Sequence, residues 1–270
     1  MPSVSELLER ESTTVDLEGD HFERMLRRRD RKRQNQRFAV YALVAAFAVV
    51  GVVIGIGSLR NGDDGTTIAG PPATPTATPI PSSGAMEPGM YEFRTFDPDF
   101  DASYRITMDI PDGYRGFERY AVIKLGETQG MSAWVVGNIY ADPCHWIGTL
   151  LDPPVGSSVD GLVAALATQK GRHASTVTYV TLDGFAGKYM ELTVPARINL
   201  ADCDGGEFRT WLDTSLEAAR WLEPGQRDLL WIVDVDGTPL VIDVSLGAGT
   251  SAQDRAERIQ IVESIRIDPR

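Results

Sequence analysis

The chain has 270 residues, 26 of them basic and 38 acidic, for a formal net charge of −12. Residues 1–37 carry 9 basic and 8 acidic residues, which leaves 17 and 30 for residues 60–270. A main domain this acidic argues against a nucleic-acid partner, because phosphate rewards basic surfaces. Arginine outnumbers lysine 22 to 4, which reads as the coding bias of a GC-rich bacterial genome.

In chain order, the first 23 residues hold seven acidic residues and one basic one, Arg10. A basic block follows: Arg24, Arg27, Arg28, Arg29, Arg31, Lys32, Arg33 and Arg37, with Asp30 its only acid. It abuts 22 uncharged residues between Phe38 and Leu59. As a helix these reach roughly 33 Å, enough for the ~30 Å hydrocarbon core of a bilayer. Basic flanks stay on the cytoplasmic side, so the expected topology is N-terminus inside and C-terminal domain outside, with residues 38–59 held in membrane lipid. A cleaved signal peptide is the competing reading. It fits poorly, because the basic region is long and Ser58-Leu59-Arg60-Asn61 is not a small-x-small cleavage site. The tail has two readings, a topology signal attracted to anionic lipid or a peptide at residues 1–23 recognised by a cytosolic protein. Gly51 and Gly55 form a GxxxG, a candidate face for homodimer pairing, although the spacing is common by chance.

Residues 60–90 interleave Pro71, Pro72, Pro75, Pro79, Pro81 and Pro88 with Thr, Ala, Ser and Gly, and are read as a semi-stiff spacer. The remaining residues, 91–270, are read as one exported domain. Cys144 and Cys203 both follow the membrane segment, and an even pair in an oxidising compartment is most simply a disulfide. Two free buried thiols are the alternative.

Period-2 alternation marks strands over 104–110, 117–125 and 131–140. Residues 158–170 put Val159, Leu162, Val163 and Leu166 on one helical face behind a Ser158 cap. Strands over 177–182 and 185–194 flank Asp183-Gly184, and strands over 229–235 and 240–246 flank Asp236-Gly237, two strong hairpin signals. Residues 208–212 form a further strand. A last helix over 251–265 aligns Ala252, Ala256, Ile259, Val262 and Ile265 behind a Ser251 cap. Hairpins rather than βαβ units join the strands. The expected fold class is therefore α+β, a largely antiparallel sheet with two helices against one face.

The stretches YRITMDIPDGY (104–114), DLLWIVDVDGTPLVIDVSLGAG (228–249) and SAQDRAERIQIVESIRI (251–267) resemble the exported domains of the PsbP/Mog1/LpqN-like group. That group is similar in its opening strand, a late antiparallel pair and a terminal amphipathic helix. The whole chain resembles membrane-anchored actinobacterial proteins. The resemblance implies a non-enzymatic binding or sensing role and carries over no catalytic residue.

No residue is assigned as catalytic, cofactor-binding or metal-ligating, and no cofactor is expected. The only histidines are His21, His145 and His173, no G-x-S-x-G occurs, and Cys144-His145 with Cys203 lacks zinc spacing. Asp97, Asp99 and Asp101 alternate as in a calcium loop, but no turn glycine or closing glutamate follows. Asp202, Asp204 and Glu207 around Cys203 form an acidic cluster. It is read either as a site for a cation or basic ligand or as a polar loop tied by the disulfide. Trp134 and Trp231 are expected in the core, and Trp146 and Trp211 over the disulfide. Trp221 and Trp146, with Asp202, Asp204 and Glu207, are the candidate ligand surface. The favoured function is a single-pass membrane protein whose outer domain binds or senses a ligand or envelope component. The alternatives are an anti-sigma-like regulator whose tail holds a cytosolic factor, and a cell-surface hydrolase.

Overall fold

The computed structural model describes residues 77–155 and 157–270. The tail 1–37, the apolar segment with Gly51 and Gly55, and most of the spacer lie outside the described residues. Among the described residues no helix is long and apolar enough to cross a membrane.

Both Asp-Gly dipeptides form the tight turns expected of them. Asp183 and Gly184 have φ of 47° and 86°, and Asp236 and Gly237 have 49° and 89°. Two left-handed residues in succession match the twist of the strands they join. The first turn links β9 (Thr178–Leu182) to β10 (Phe185–Thr193), and the second links β13 (Arg227–Val235) to β14 (Thr238–Leu246). β13 and β14 pair over nine residues, from Arg227 opposite Leu246 to Val235 opposite Thr238.

The other strands are β1 (Thr78–Pro79), β2 (Ala85–Met86), β3 (Gly89–Phe93), β4 (Tyr104–Ile110), β5 (Tyr114–Phe117), β6 (Ala121–Lys124), β7 (Gly130–Ile139), β8 (His173–Ala174), β11 (Phe208–Asp213), β12 (Ala219–Leu222) and β15 (Arg266–Pro269). The helices are α1 (Pro98–Ser103), α2 (Val159–Ala167) and α3 (Ala252–Glu263). A large sheet runs β2-β5-β6-β7-β14-β13-β10-β8; β9 adds to β10, β11 to β7, and β12 to β11. A small sheet runs β1-β3-β4-β15. Among the described residues only the two-residue β1–β3 pairing is parallel. The class is α+β and mostly antiparallel, as expected.

The layering differs from the expectation. Leu240, Ile242, Val244 and Leu246 of β14 join one core with Ile106 and Met108 of the small sheet and Ile261 and Val262 of α3. Val241 of β14 joins a second core on the opposite face, with Leu162, Val163 and Leu166 of α2. The two long helices therefore cover opposite faces, and the large sheet is the middle of three layers. Alternation sends successive side chains to opposite faces, so the near-continuous apolar run of β14 serves both cores at once.

Four further expectations are corrected. The spacer stops short of residue 90: β1, β2 and the start of β3 fall within 78–90, and Ile80 and Met86 are buried in the first core. The strand read over 117–125 is the hairpin β5–β6, whose turn places Glu118 and Arg119 at φ of 49° and 68°. A left-handed turn without glycine gives no sequence signal. The last helix ends at Glu263, and β15 follows it and pairs with β4. Its stripe is also rotated, because Ala252 and Ala256 are exposed while Arg258 is buried. The third helix, α1, starts at Pro98 behind Asp97, whose carboxylate accepts from the Phe100 N–H at 2.8 Å.

Candidate functional site

Cys144 and Cys203 form the expected disulfide, with their Cα atoms 4.5 Å apart. It fits an oxidising, extracytoplasmic compartment. Backbone bonds brace the same two loops: Asp204 N donates to Cys144 O and Arg209 N to Pro143 O, both at 2.8 Å. Asp142 Oδ1 accepts from the N–H groups of Cys144 and His145, and Lys170 Nζ lies 2.8 Å from Oδ2. Burial pushes the Asp142 carboxyl up, but Lys170 and the two backbone donors outweigh it and hold it below the usual range.

Four of the five candidate surface residues gather here. The Arg209 guanidinium sits over the Trp146 ring, 3.8 Å from its centroid. The indole donates to Asp204 O at 2.7 Å. Arg209 lies directly opposite Trp221 in the β11–β12 pairing. Trp146, Arg209 and Trp221 thus form one ridge, and Trp221 is 56% exposed on the edge strand β12. Trp146 is half-buried, and next to it Ile147 is 68% exposed. Trp and Arg are residue types that dominate binding surfaces.

The acidic cluster is engaged internally. Asp204 Oδ2 accepts from Ile147 N at 2.9 Å, and its Oδ1 is 4.0 Å from His145 Nδ1. Glu207 Oε2 pairs with Arg209 at 2.6 Å. Asp202, at the end of a single 3-10 turn, accepts from Asn199 Nδ2 at 3.2 Å. Asp97 is likewise occupied by the Phe100 N–H, and Asp101 through its Oδ1 by Thr95. Among the described residues no group of three His, Cys, Asp or Glu is placed to hold a metal ion. Trp211 is not over the disulfide; it is fully buried in the second core, edge-on to Trp134 at 6.0 Å. Trp134 is buried and Trp231 packs on Tyr189 at 4.9 Å.

A buried polar cluster behind the ridge gave little signal in the sequence. Arg220, next to Trp221, directs its Nε to Asp243 Oδ2 at 2.6 Å and its Nη1 to the Trp221 carbonyl at 2.6 Å. Its Nη2 bonds the Ser245 hydroxyl and lies 3.6 Å from Asp228 Oδ1. Asp228 in turn pairs with Arg172. Burial pushes the Asp243 carboxyl up to about 6, against the pull of Arg220 and with the push of Asp228. In the structure both aspartates lie within apolar strands, Asp228 in β13 and Asp243 in β14.

Two clefts lie elsewhere on the described residues. One of about 470 Å³ lies where the β14–α3 loop meets Arg227 and Arg255, and both arginines are taken up by Glu191. The other, of about 410 Å³, is lined by Arg94, Phe96, Pro98, Asp101, Ala102 and Tyr120 among others.

No protein family matches the sequence, and no curated protein does. Among solved structures, the chain is similar to cyanobacterial PsbP (CyanoP) from Synechocystis, at 13% identity and a TM-score of 0.35. The match covers 73% of this chain and 100% of that one. A likeness of that size carries no statement about function.

Proposed function

We propose that this is a single-pass membrane protein of the bacterial envelope whose outer domain is a non-enzymatic binding module, with the Trp146–Arg209–Trp221 ridge as its contact surface. In this reading residues 38–59 anchor the chain with its N-terminus in the cytoplasm. The 18 residues from 60 to 77 give an extended reach of roughly 55 Å. The partner is a cell-wall glycan: the exposed Trp221 indole offers a flat apolar face to the C–H face of a sugar ring, and the atoms left over from the Arg209–Glu207 pair, Nη1 and Oε1, offer a donor and an acceptor to hydroxyls.

The observation that carries the reading is the exposed Trp221 in register with an arginine stacked on Trp146, on loops closed by a disulfide. A rigid aromatic surface loses little conformational entropy on binding. The test is co-sedimentation of the full-length protein, in lipid vesicles, with purified cell-wall sacculi. Wild type is expected to sediment, and Trp221→Ala to lose at least about tenfold in affinity, on the scale of a hot spot near 1.4 kcal/mol or more. Equal binding by Trp221→Ala and Trp146→Ala, or no sedimentation by wild type, would overturn it.

A further inference from the structure

The second cleft differs from the ridge and from the Arg227–Arg255 cleft in one respect: some of its polar groups are unspent. Its walls come from three separate elements. Arg94 and Phe96 follow β3, Asp101 lies on α1, and Tyr120 closes the β5–β6 turn. The walls are held firmly. Phe96 is stacked between Tyr120 at 4.5 Å and Trp134 at 4.0 Å. Tyr120 N donates to Phe117 O at 3.1 Å, and Glu118 N to Ser82 O at 2.8 Å, which ties the turn back to the segment after β1.

The polar groups divide into two sets. Arg270 is occupied by Glu92 and by the carbonyls of Asp101 and Tyr104. Asp101 Oδ1 accepts from both the N–H and the hydroxyl of Thr95 at 2.9 Å. Asp101 Oδ2 and the Tyr120 hydroxyl, in contrast, have no hydrogen-bond partner among the described residues. The Arg94 guanidinium has neither a hydrogen bond nor an ion pair there. Arg94 and Asp101 feel each other's charge without pairing. A structural ion pair would close that gap.

We propose that this groove binds a free α-amino acid as its zwitterion, with the carboxylate on Arg94 and the ammonium on Asp101 Oδ2 and the Tyr120 ring. Arginine presents a planar fork suited to a carboxylate. A carboxylate beside an aromatic face suits an ammonium. Pro98, Ala102 and the edge of Phe96 leave an apolar strip for a small side chain. The volume, about 410 Å³, lies at the lower end of the ~300–1,000 Å³ of small-molecule sites. Burial pushes the Asp101 carboxyl up, and an arriving ammonium would pull it down again, so binding strengthens as that carboxyl ionises.

Calorimetric titration of the full-length protein in detergent micelles tests this, with the common L- and D-amino acids, their N-acetyl and amide derivatives, and neutral sugars. At least one free amino acid is expected to saturate the site. Blocking either end should weaken binding at least about tenfold, and Arg94→Gln should do the same. Asp101→Asn keeps an acceptor for Thr95 and should lose affinity for the ammonium alone, leaving the amine-blocked derivative unaffected. The unchanged melting temperature of Arg94→Gln, an exposed residue, controls for folding. Three results would each overturn the proposal: no saturable heat with any amino acid, blocked derivatives binding as well as free ones, or wild-type affinity in Arg94→Gln. Binding of a neutral sugar alone would overturn it too. Trp221→Ala should leave amino-acid binding intact.

Discussion

Arg172 and Asp228 form an ion pair with almost no contact with water: Nη2 and Oδ2 are 2.7 Å apart, at 1% and 0% side-chain exposure. Further polar groups hold both partners, although the buried Arg172 Nε has no hydrogen-bond partner. Arg172 Nη1 also reaches Thr210 Oγ1 at 2.9 Å and Gln169 Oε1 at 3.2 Å, and Asp228 Oδ1 accepts from Gln226 Nε2 at 2.8 Å. Breaking such a pair strands a charge in low dielectric. Asp228→Ala is therefore expected to cost about 3–5 kcal/mol in urea denaturation. The double change Arg172→Met with Asp228→Leu should recover most of that, since an apolar pair of similar volume has no desolvation cost. If the double variant is no better than the single, the ion pair itself contributes net stability.

The Asp243 carboxyl gives a pH dependence whose sign runs against intuition. Its native value is raised to about 6, above the unfolded 3.8, because burial disfavours the charged form. The native state therefore holds the proton more tightly than the unfolded chain. Its contribution is fully present below about pH 4 and is lost as pH rises through 6. The size is on the order of 3 kcal/mol for a fully buried group. Unfolding free energy followed from pH 4 to pH 8 should show this downward slope, and Asp243→Asn should flatten it. An unchanged slope in the variant would assign the pH dependence to other groups.

Asp254 on α3 runs the other way. Hydrogen bonds from Lys124 and Ser251 depress its carboxyl to about 2. Its contribution is present above the unfolded value and is lost as pH falls from about 4 through 2. Lys124→Met should weaken that acid-side dependence when unfolding free energy is followed from pH 5 down to pH 2, with the Ser251 hydrogen bond keeping part of it.

Loss of the disulfide should be costly, because it closes 59 residues of chain. Cys144→Ser with Cys203→Ser is expected to lower stability by about 2–5 kcal/mol. Near-ultraviolet circular dichroism should also report release of Trp146, which packs against the loop that carries Cys203. A variant with wild-type dichroism would show that backbone bonds alone hold the ridge.

Gly187 in β10 lies against β13 so closely that an added Cβ would meet Ile232 O at 2.1 Å. Gly187→Ala must part the two strands, at an expected cost of about 1–3 kcal/mol by thermal denaturation. A neutral result would mean that the β10–β13 pairing relaxes freely.

Local chemistry alone determined a good share of this protein. Both Asp-Gly hairpins, the Ser158 and Ser251 helix caps and the pairing of two cysteines follow from features within a few residues or from simple parity. Trp146 and Trp221 stand out in the sequence as candidate surface residues, but Trp221, expected in a loop or short helix over 216–226, lies on the edge strand β12. What local pattern does not contain is which face a helix covers. A strand apolar on both faces, such as β14, reads the same whether α2 and α3 share a side or lie on opposite sides. Nor does it reveal buried ion pairs. Nothing in the sequence marks Asp228 or Asp243 as buried; the fold brings Arg172 and Arg220, from distant segments, against them. The groove of Arg94, Asp101 and Tyr120 is of the same kind: of the three only Asp101 stands out in the sequence, in an acidic alternation, and the three line one cleft only because the chain folds. Local propensity acts over a few residues, whereas burial and charge pairing act between segments, so only the tertiary structure decides them.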